Sequence, residues 1–209
     1  MEEADRRAEP TCIEPWAGEV RVNLIRLAAI LVFYGYHLLN VYILSDDPSV
    51  GGQFHASVSA LVLAWSSEVL LLYFCLSRRW MPPGLKYMAT GVDIIIITAV
   101  LMVSATPASP LVVLYFLVIA AAPLRLSLRL IYVATLGSMV GYILFVGYYA
   151  LFAMGAERYY SDASVRIPRT NQVILVLALG AAGLLAGQAV RQSKRLISGY
   201  PVTVDDEME

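Results

Sequence analysis

Six apolar runs, at residues 23–44, 55–76, 88–105, 109–124, 128–154 and 172–190, leave this chain few ways to fold. A helix needs roughly 20 apolar residues, within a range of about 17–25, to cross the hydrocarbon core of a bilayer. Inside that core only helices and closed barrels satisfy their own backbone groups. The fourth run is short, ending at "PLRLSLR", and the fifth is long enough to tilt or project. Most of the charge lies outside the runs, in the first 21 residues, the last 19 and a few short clusters between them. Charged residues are 15% of the chain against 59% hydrophobic, where a soluble domain carries about 25% charged. The predicted fold is all-α: a polytopic bundle of six transmembrane helices. It divides into an N-terminal segment at 1–21, a membrane domain at 22–190 and a basic-then-acidic tail at 191–209.

Orientation follows from the basic residues, which collect in cytoplasmic loops. In the six-span model, twelve of the 15 Lys and Arg residues fall on one side. They are Arg6, Arg7, Arg21 and Arg26 before or at the first span, Arg78, Arg79 and Lys86 between the second and third, Arg125 and Arg129 at the fourth turn, and Arg191, Lys194 and Arg195 after the sixth. The other side has only Arg158, Arg166 and Arg169. Both termini are therefore predicted to be cytoplasmic, in the inner (plasma) membrane. "TPASP", in the middle of the apolar stretch 92–119, then reads as a tight extracytoplasmic turn. Pro107 and Pro110 disfavour helix in the residues before them, and Pro110 suits the first turn of the next helix.

The start "MEEADRRAEPTCIEPWAGEVR" has neither the apolar core nor the small-residue cleavage site of a signal peptide, so the first span is expected to serve as an uncleaved anchor. Cys12 and Cys75 fall on the cytoplasmic side, where a structural disulfide is not expected, and Cys75 reads as a small apolar packing residue. No CxxC, HExxH, P-loop, GxSxG or GxGxxG pattern occurs. No catalytic residues, metal ligands or cofactor are expected, and the chain does not read as an enzyme.

Ionisable groups inside a span are costly and mark either a structural network or a functional site. On the first span Arg26, Phe33, His37 and Asn40 share one face at about 100° per residue. Ser57, Ala64, Glu68 and Cys75 do so on the second, and Thr90, Asp93 and Ile97 on the third. Arg26, Glu68 and Asp93 all fall in the cytoplasmic half, where one guanidinium and two carboxylates can form a compact network. Asp93 is thus expected to pair with Arg26 or a neighbouring donor. Bis-His haem ligation needs two facing histidines at one depth. His37 is placed about seven residues, roughly 10 Å, below the end of its helix, and His55 at the start of the next. The depths match poorly, so haem is not expected, and His37 is predicted to bond Asn40 or a tyrosine hydroxyl.

Small residues let helices approach closely in lipid. Gly137 and Gly141 on the fifth span, and Gly180, Gly183 and Gly187 on the sixth, form two such faces, suited to packing the fifth helix on the sixth or to forming a homodimer. The "RQSKR" cluster, with Arg191, Lys194 and Arg195, suits anionic headgroups or a cytoplasmic partner, and the tail "YPVTVDDEME" reads as disordered.

The central block carries a resemblance. Asp93, Thr98, the Ser109–Pro110 pair and "LYFLVI" with Tyr115 and Phe116 resemble the six-helix membrane sensor region of pilus-regulating sensor histidine kinases. The match covers some 30–40 residues. "ATPA" stands where that family has glycines before the Ser-Pro, and no phosphoacceptor helix or ATP-binding domain follows the sixth run. The resemblance implies ligand or membrane-state sensing; with the six-span layout and short outer loops it favours a non-catalytic sensory or scaffold module acting on a cytoplasmic signalling protein through helix six. The alternative is a small proton- or ion-coupled transporter using Glu68 and Asp93. The expected partners are the lipid bilayer, a cytoplasmic protein and a second copy of the chain, with no nucleic acid.

Overall fold

A computed structural model describes residues 15–39, 42–43, 52–78, 82, 84–103, 110–153 and 168–199. Among them the structure is all-α. In chain order the helices are α1 (Pro15–Leu39), α2 (Gly52–Ser77), α3 (Leu85–Val103), α4 (Val113–Ala121), α5 (Leu128–Tyr148) and α6 (Arg169–Gly199). Five of the helices are long and apolar enough to cross a membrane, and the segment Val113–Arg125 is a shorter apolar sixth.

The helices alternate in direction. The start of α1 meets the end of α2 where the Asn23 side-chain amide donates to the Val69 carbonyl at 3.2 Å, and the end of α1 meets the start of α2 where Tyr34 Oη and Ser59 Oγ lie 3.2 Å apart. The bundle therefore has two ends. One, the basic end, gathers the starts of α1, α3 and α5 with the ends of α2, α4 and α6. The other, the histidine end, holds His37 and His55.

α3 and α5 form the spine, each packing on the other and on a second long helix, α2 for α3 and α6 for α5. α4 fills the space between α3, α5 and α6. Its Tyr115, Leu114 and Ile119 are sealed in the main apolar core with Ile97, Leu101 and Phe145. The other faces of the long helices carry exposed Leu24, Leu31, Leu71, Ile95, Leu136, Ile143, Leu177 and Leu185. Apolar surface spread around a bundle in this way fits lipid as the solvent.

The element bounds differ from the expected ones most at α1 and α6. α1 begins at Pro15, inside the stretch expected to precede the first span, because proline suits a first helical turn and Glu19 is buried rather than solvated. α6 runs 31 residues, about 46 Å at a rise of ~1.5 Å, well past its apolar run. α4 is flanked by 3₁₀ turns, Pro110–Val112 and Ala122–Arg125. The second ends at Leu126, whose φ of 48° is left-handed, a conformation that costs a β-carbon residue about 1–2 kcal/mol.

The glycine faces pack differently from expectation. A β-carbon on Gly141 would lie 2.9 Å from both Thr98 Oγ1 and Tyr115 Oη, and one on Gly137 would lie 2.6 Å from Ile94 Cδ1. These two glycines admit α3 and α4, not α6. On α6 only Gly183 is in close approach, its β-carbon position 2.2 Å from Thr135 Oγ1 on α5, while Gly180 and Gly187 meet nothing within 4 Å. Of the three α6 glycines only Gly183 is thus held close against α5.

Candidate functional site

At the basic end the sequence buries charge, and the helices supply the partners. Asp93 of α3 accepts from Arg26 Nε at 2.7 Å (Oδ1) and 2.9 Å (Oδ2), and Arg26 Nη2 closes the fork on Oδ2. Trp65 of α2 donates its indole N–H to Asp93 Oδ1 at 3.1 Å. One carboxylate thus ties α1, α2 and α3 together, and both charged side chains are under 10% exposed, at 4% and 7%. Charge-assisted, forked bonds of this kind are the strongest a side chain makes.

A second ion pair lies beside the first. Glu19 of α1 meets Arg125 of the 3₁₀ turn at 2.8 Å, again buried. Arg125 Nη1 also donates to the Lys86 carbonyl at 3.1 Å and to Thr90 Oγ1 at 2.7 Å. Thr90 has one hydroxyl proton and donates it to the Lys86 carbonyl at 2.9 Å, so its lone pairs are free to receive Arg125. The Gly18 β-carbon position is 2.5 Å from the Leu124 carbonyl, so glycine there is what lets α1 lie against the turn. A small cavity of about 30 Å³ sits among Arg26, Trp65, Thr90, Asp93 and Arg125, enough for a water with polar partners.

Glu68 sits one helical turn from Trp65 and within the electrostatic reach of Asp93, Arg26 and Arg125. Both its carboxylate oxygens are buried and accept no hydrogen bond among the described residues. The structure thus separates the two expected carboxylates. Asp93 is anchored four ways; Glu68 is not. Two guanidiniums already balance Glu19 and Asp93, which leaves Glu68 as the third acid, without a cation of its own.

Deeper in the bundle, Thr98 Oγ1 donates to the Ile94 carbonyl at 2.7 Å and lies 2.7 Å from Tyr115 Oη. With the threonine proton committed, Tyr115 is the donor in the second bond, which pins α4 to α3.

The histidine end contradicts the expected depths. His37 Nε2 and His55 Nδ1 are 3.2 Å apart. The ring planes are 13° from parallel and the centroids 5.4 Å apart. The nitrogens are closer than the centroids by nearly two ring radii, so they face one another in an N–H···N bond. α2 starts at Gly52 rather than at His55, which carries His55 down beside His37. A direct N–H···N bond leaves no room for an iron between the rings. Asn40, the other expected partner of His37, lies outside the described residues.

At the basic end of α6, Val190 is sealed against Ala122, Ile131 and Ala134, and Arg191 donates to Tyr132 Oη at 3.2 Å. Lys194 and Arg195 are exposed on the helix beyond. Cys75 is half-buried and free, and no cluster of three metal-ligating side chains occurs among the described residues.

The sequence marks Arg26, Glu68 and Asp93, with Thr90 on the Asp93 face, but not Glu19, Arg125 or Trp65 as members of the cluster. Glu19 and Arg125 sit where the apolar runs end and pass for solvated flanks. Trp65 was legible only through its position one turn before Glu68. No protein-family model, curated protein or solved structure matches the chain.

Proposed function

We propose that the chain is a non-catalytic sensory and scaffold module of the inner membrane, with six spans and both termini cytoplasmic, that passes movements of its bundle to a cytoplasmic partner through α6. The basic end then faces the cytoplasm. The observation that carries this reading is the double engagement of the 3₁₀ turn Ala122–Arg125. On one side Arg125 is bonded into the buried charge cluster; on the other, Ala122 packs on Val190 where α6 leaves the core. Rearranging the cluster moves the turn, and moving the turn moves α6. The left-handed Leu126 holds the turn in a strained shape, which suits an element with two arrangements. α6 exceeds the ~30 Å hydrocarbon core by about ten residues, and that extension carries Arg191, Lys194 and Arg195. The resemblance around Asp93, Thr98 and Tyr115 to sensor-kinase input regions points the same way.

The test is a crosslinking pulldown in mild detergent that compares the full chain with one ending at Arg191. A cytoplasmic protein captured by the first and lost from the second is the expected result. Equal recovery of the same proteins from both forms would refute coupling through α6.

One observation favours the alternative, a proton- or ion-coupled carrier: the buried Glu68 carboxylate has no hydrogen-bond donor among the described residues. Flux in proteoliposomes that depends on a pH gradient and disappears in Glu68→Gln would establish it, and absence of flux in the wild type would remove it.

A further inference from the structure

A cavity of about 290 Å³ opens at the histidine end between α1, α2, α3 and the start of α4. Its walls include Phe33, Tyr34, His37, Phe54, Trp65 and Leu111. The volume is at the lower edge of the roughly 300–1,000 Å³ typical of small-molecule sites. Among the described residues no Asp, Glu, Lys or Arg lines it. Against this lining an ionic ligand would be desolvated without a counter-charge, which is costly, so the described walls fit a neutral occupant. The aromatic walls suit a flat ring.

Polar recognition comes from two hydrogen-bonded pairs that tie α1 to α2. Tyr34 Oη and Ser59 Oγ form one, and His37 and His55 form the other. The histidine pair has an unusual property. Two neutral imidazoles joined by one N–H···N bond have one N–H and one lone pair left on their outer nitrogens. If His55 donates to His37 Nε2, then His37 Nδ1 carries a proton and can donate. If His37 donates instead, its Nδ1 is a bare lone pair and can accept. A tautomer change, in which the His55 Nδ1 proton crosses to His37 Nε2 while water takes the His37 Nδ1 proton and returns one to His55 Nε2, therefore lets His37 bind a carbonyl oxygen in one state and a hydroxyl proton in the other, without any net charge.

We propose that this cavity is a binding site for a neutral, lipid-soluble ring compound whose polar group exists as carbonyl or hydroxyl, the chemistry of a quinone and quinol headgroup. The step is reversible binding; no electron or proton passes to the ligand. Trp65 is common to this cavity and to the small one beside Asp93, so an occupant touches the residue that donates to Asp93. Binding at the site stands whether or not α6 carries a signal.

The test uses the full chain in phosphatidylcholine nanodiscs and a photoreactive azido-benzoquinone with one isoprene unit. Labelled peptides are mapped by mass spectrometry, with unlabelled quinone, the corresponding quinol and palmitate as competitors. Saturable labelling within 33–37 and 54–65 is expected, competed by quinone and quinol to within threefold of each other and at least tenfold less well by palmitate. Val58→Trp, which fills the cavity, should abolish the labelling. His37→Phe, which keeps the bulk, should weaken competition by quinone and quinol at least fivefold, and it decides the matter if Val58→Trp fails to insert. Labelling that does not saturate, that palmitate competes equally, or that His37→Phe leaves unchanged overturns the proposal.

Discussion

The two ends of the bundle solve the problem of polar groups in an apolar surrounding in opposite ways. At the basic end, charge is buried and cancelled: Arg26 with Asp93, Arg125 with Glu19, each bond reaching between different helices. At the histidine end no charged side chain among the described residues lines the cavity, and hydrogen-bonded pairs, His37 with His55 and Tyr34 with Ser59, link α1 to α2 beside open space. The first arrangement is strong and unforgiving, because removing one ion strands the other. The second is weak and adaptable, because a neutral donor or acceptor can change partner at small cost. Together they give the bundle one firmly held end and one adaptable end.

That contrast is open to direct attack. The largest effect is expected from Asp93→Asn, which strands Arg26. Breaking a buried pair costs about 3–5 kcal/mol, measurable as lost resistance to unfolding of the chain in bicelles. Replacing both partners with apolar residues, Arg26→Met with Asp93→Leu, should recover much of that loss. A double variant as unstable as the sum of the single ones would mean that the pair is not coupled.

Next in size is Gly183→Ala. Its added carbon would lie 2.2 Å from Thr135 Oγ1, and overpacking of this kind costs about 1–3 kcal/mol. Gly187→Ala, in open space, is the control and should change nothing beyond a few tenths of a kcal/mol. Equal effects of the two would show that α6 does not cross α5 at Gly183.

Tyr115→Phe removes a hydrogen bond to Thr98 while the threonine proton keeps its own acceptor. The expected loss is about 0.5–1.5 kcal/mol. The smallest effect is expected at the histidine end, where Tyr34→Phe should cost under ~1 kcal/mol, because the Ser59 hydroxyl next to a cavity can find another partner. A loss as large as that of Asp93→Asn would erase the distinction between the ends.

How much of this was readable in the sequence follows from the same physics. Apolar runs report span positions because lipid imposes their length, and Asp93 announces a donor because an ionised carboxylate in that setting is costly without one. Where a helix continues past its apolar run the signal fails. α1 starts early at Pro15 and α6 runs on to Gly199, since length beyond the core is set by packing and not by hydropathy. That failure also hid Glu19 and Arg125, which look like solvated flanks yet are buried by a 3₁₀ turn that no periodicity marks. The pairing of His37 with His55 depended on the offset between α1 and α2, which three extra residues at the start of α2 were enough to change.

The most direct test of coupling between the charge cluster and α6 is a distance measurement by pulsed electron spin resonance. Spin labels at Met88→Cys on the exposed face of α3 and Lys194→Cys on α6, with Cys12 and Cys75 replaced by serine, would report α6 relative to the spine in nanodiscs. Comparison of the otherwise wild-type chain with Asp93→Asn and with the milder Trp65→Phe should show a shifted or broadened distribution in both, larger in Asp93→Asn. Superimposable distributions from all three, with helix content unchanged, would contradict the link between the cluster and α6.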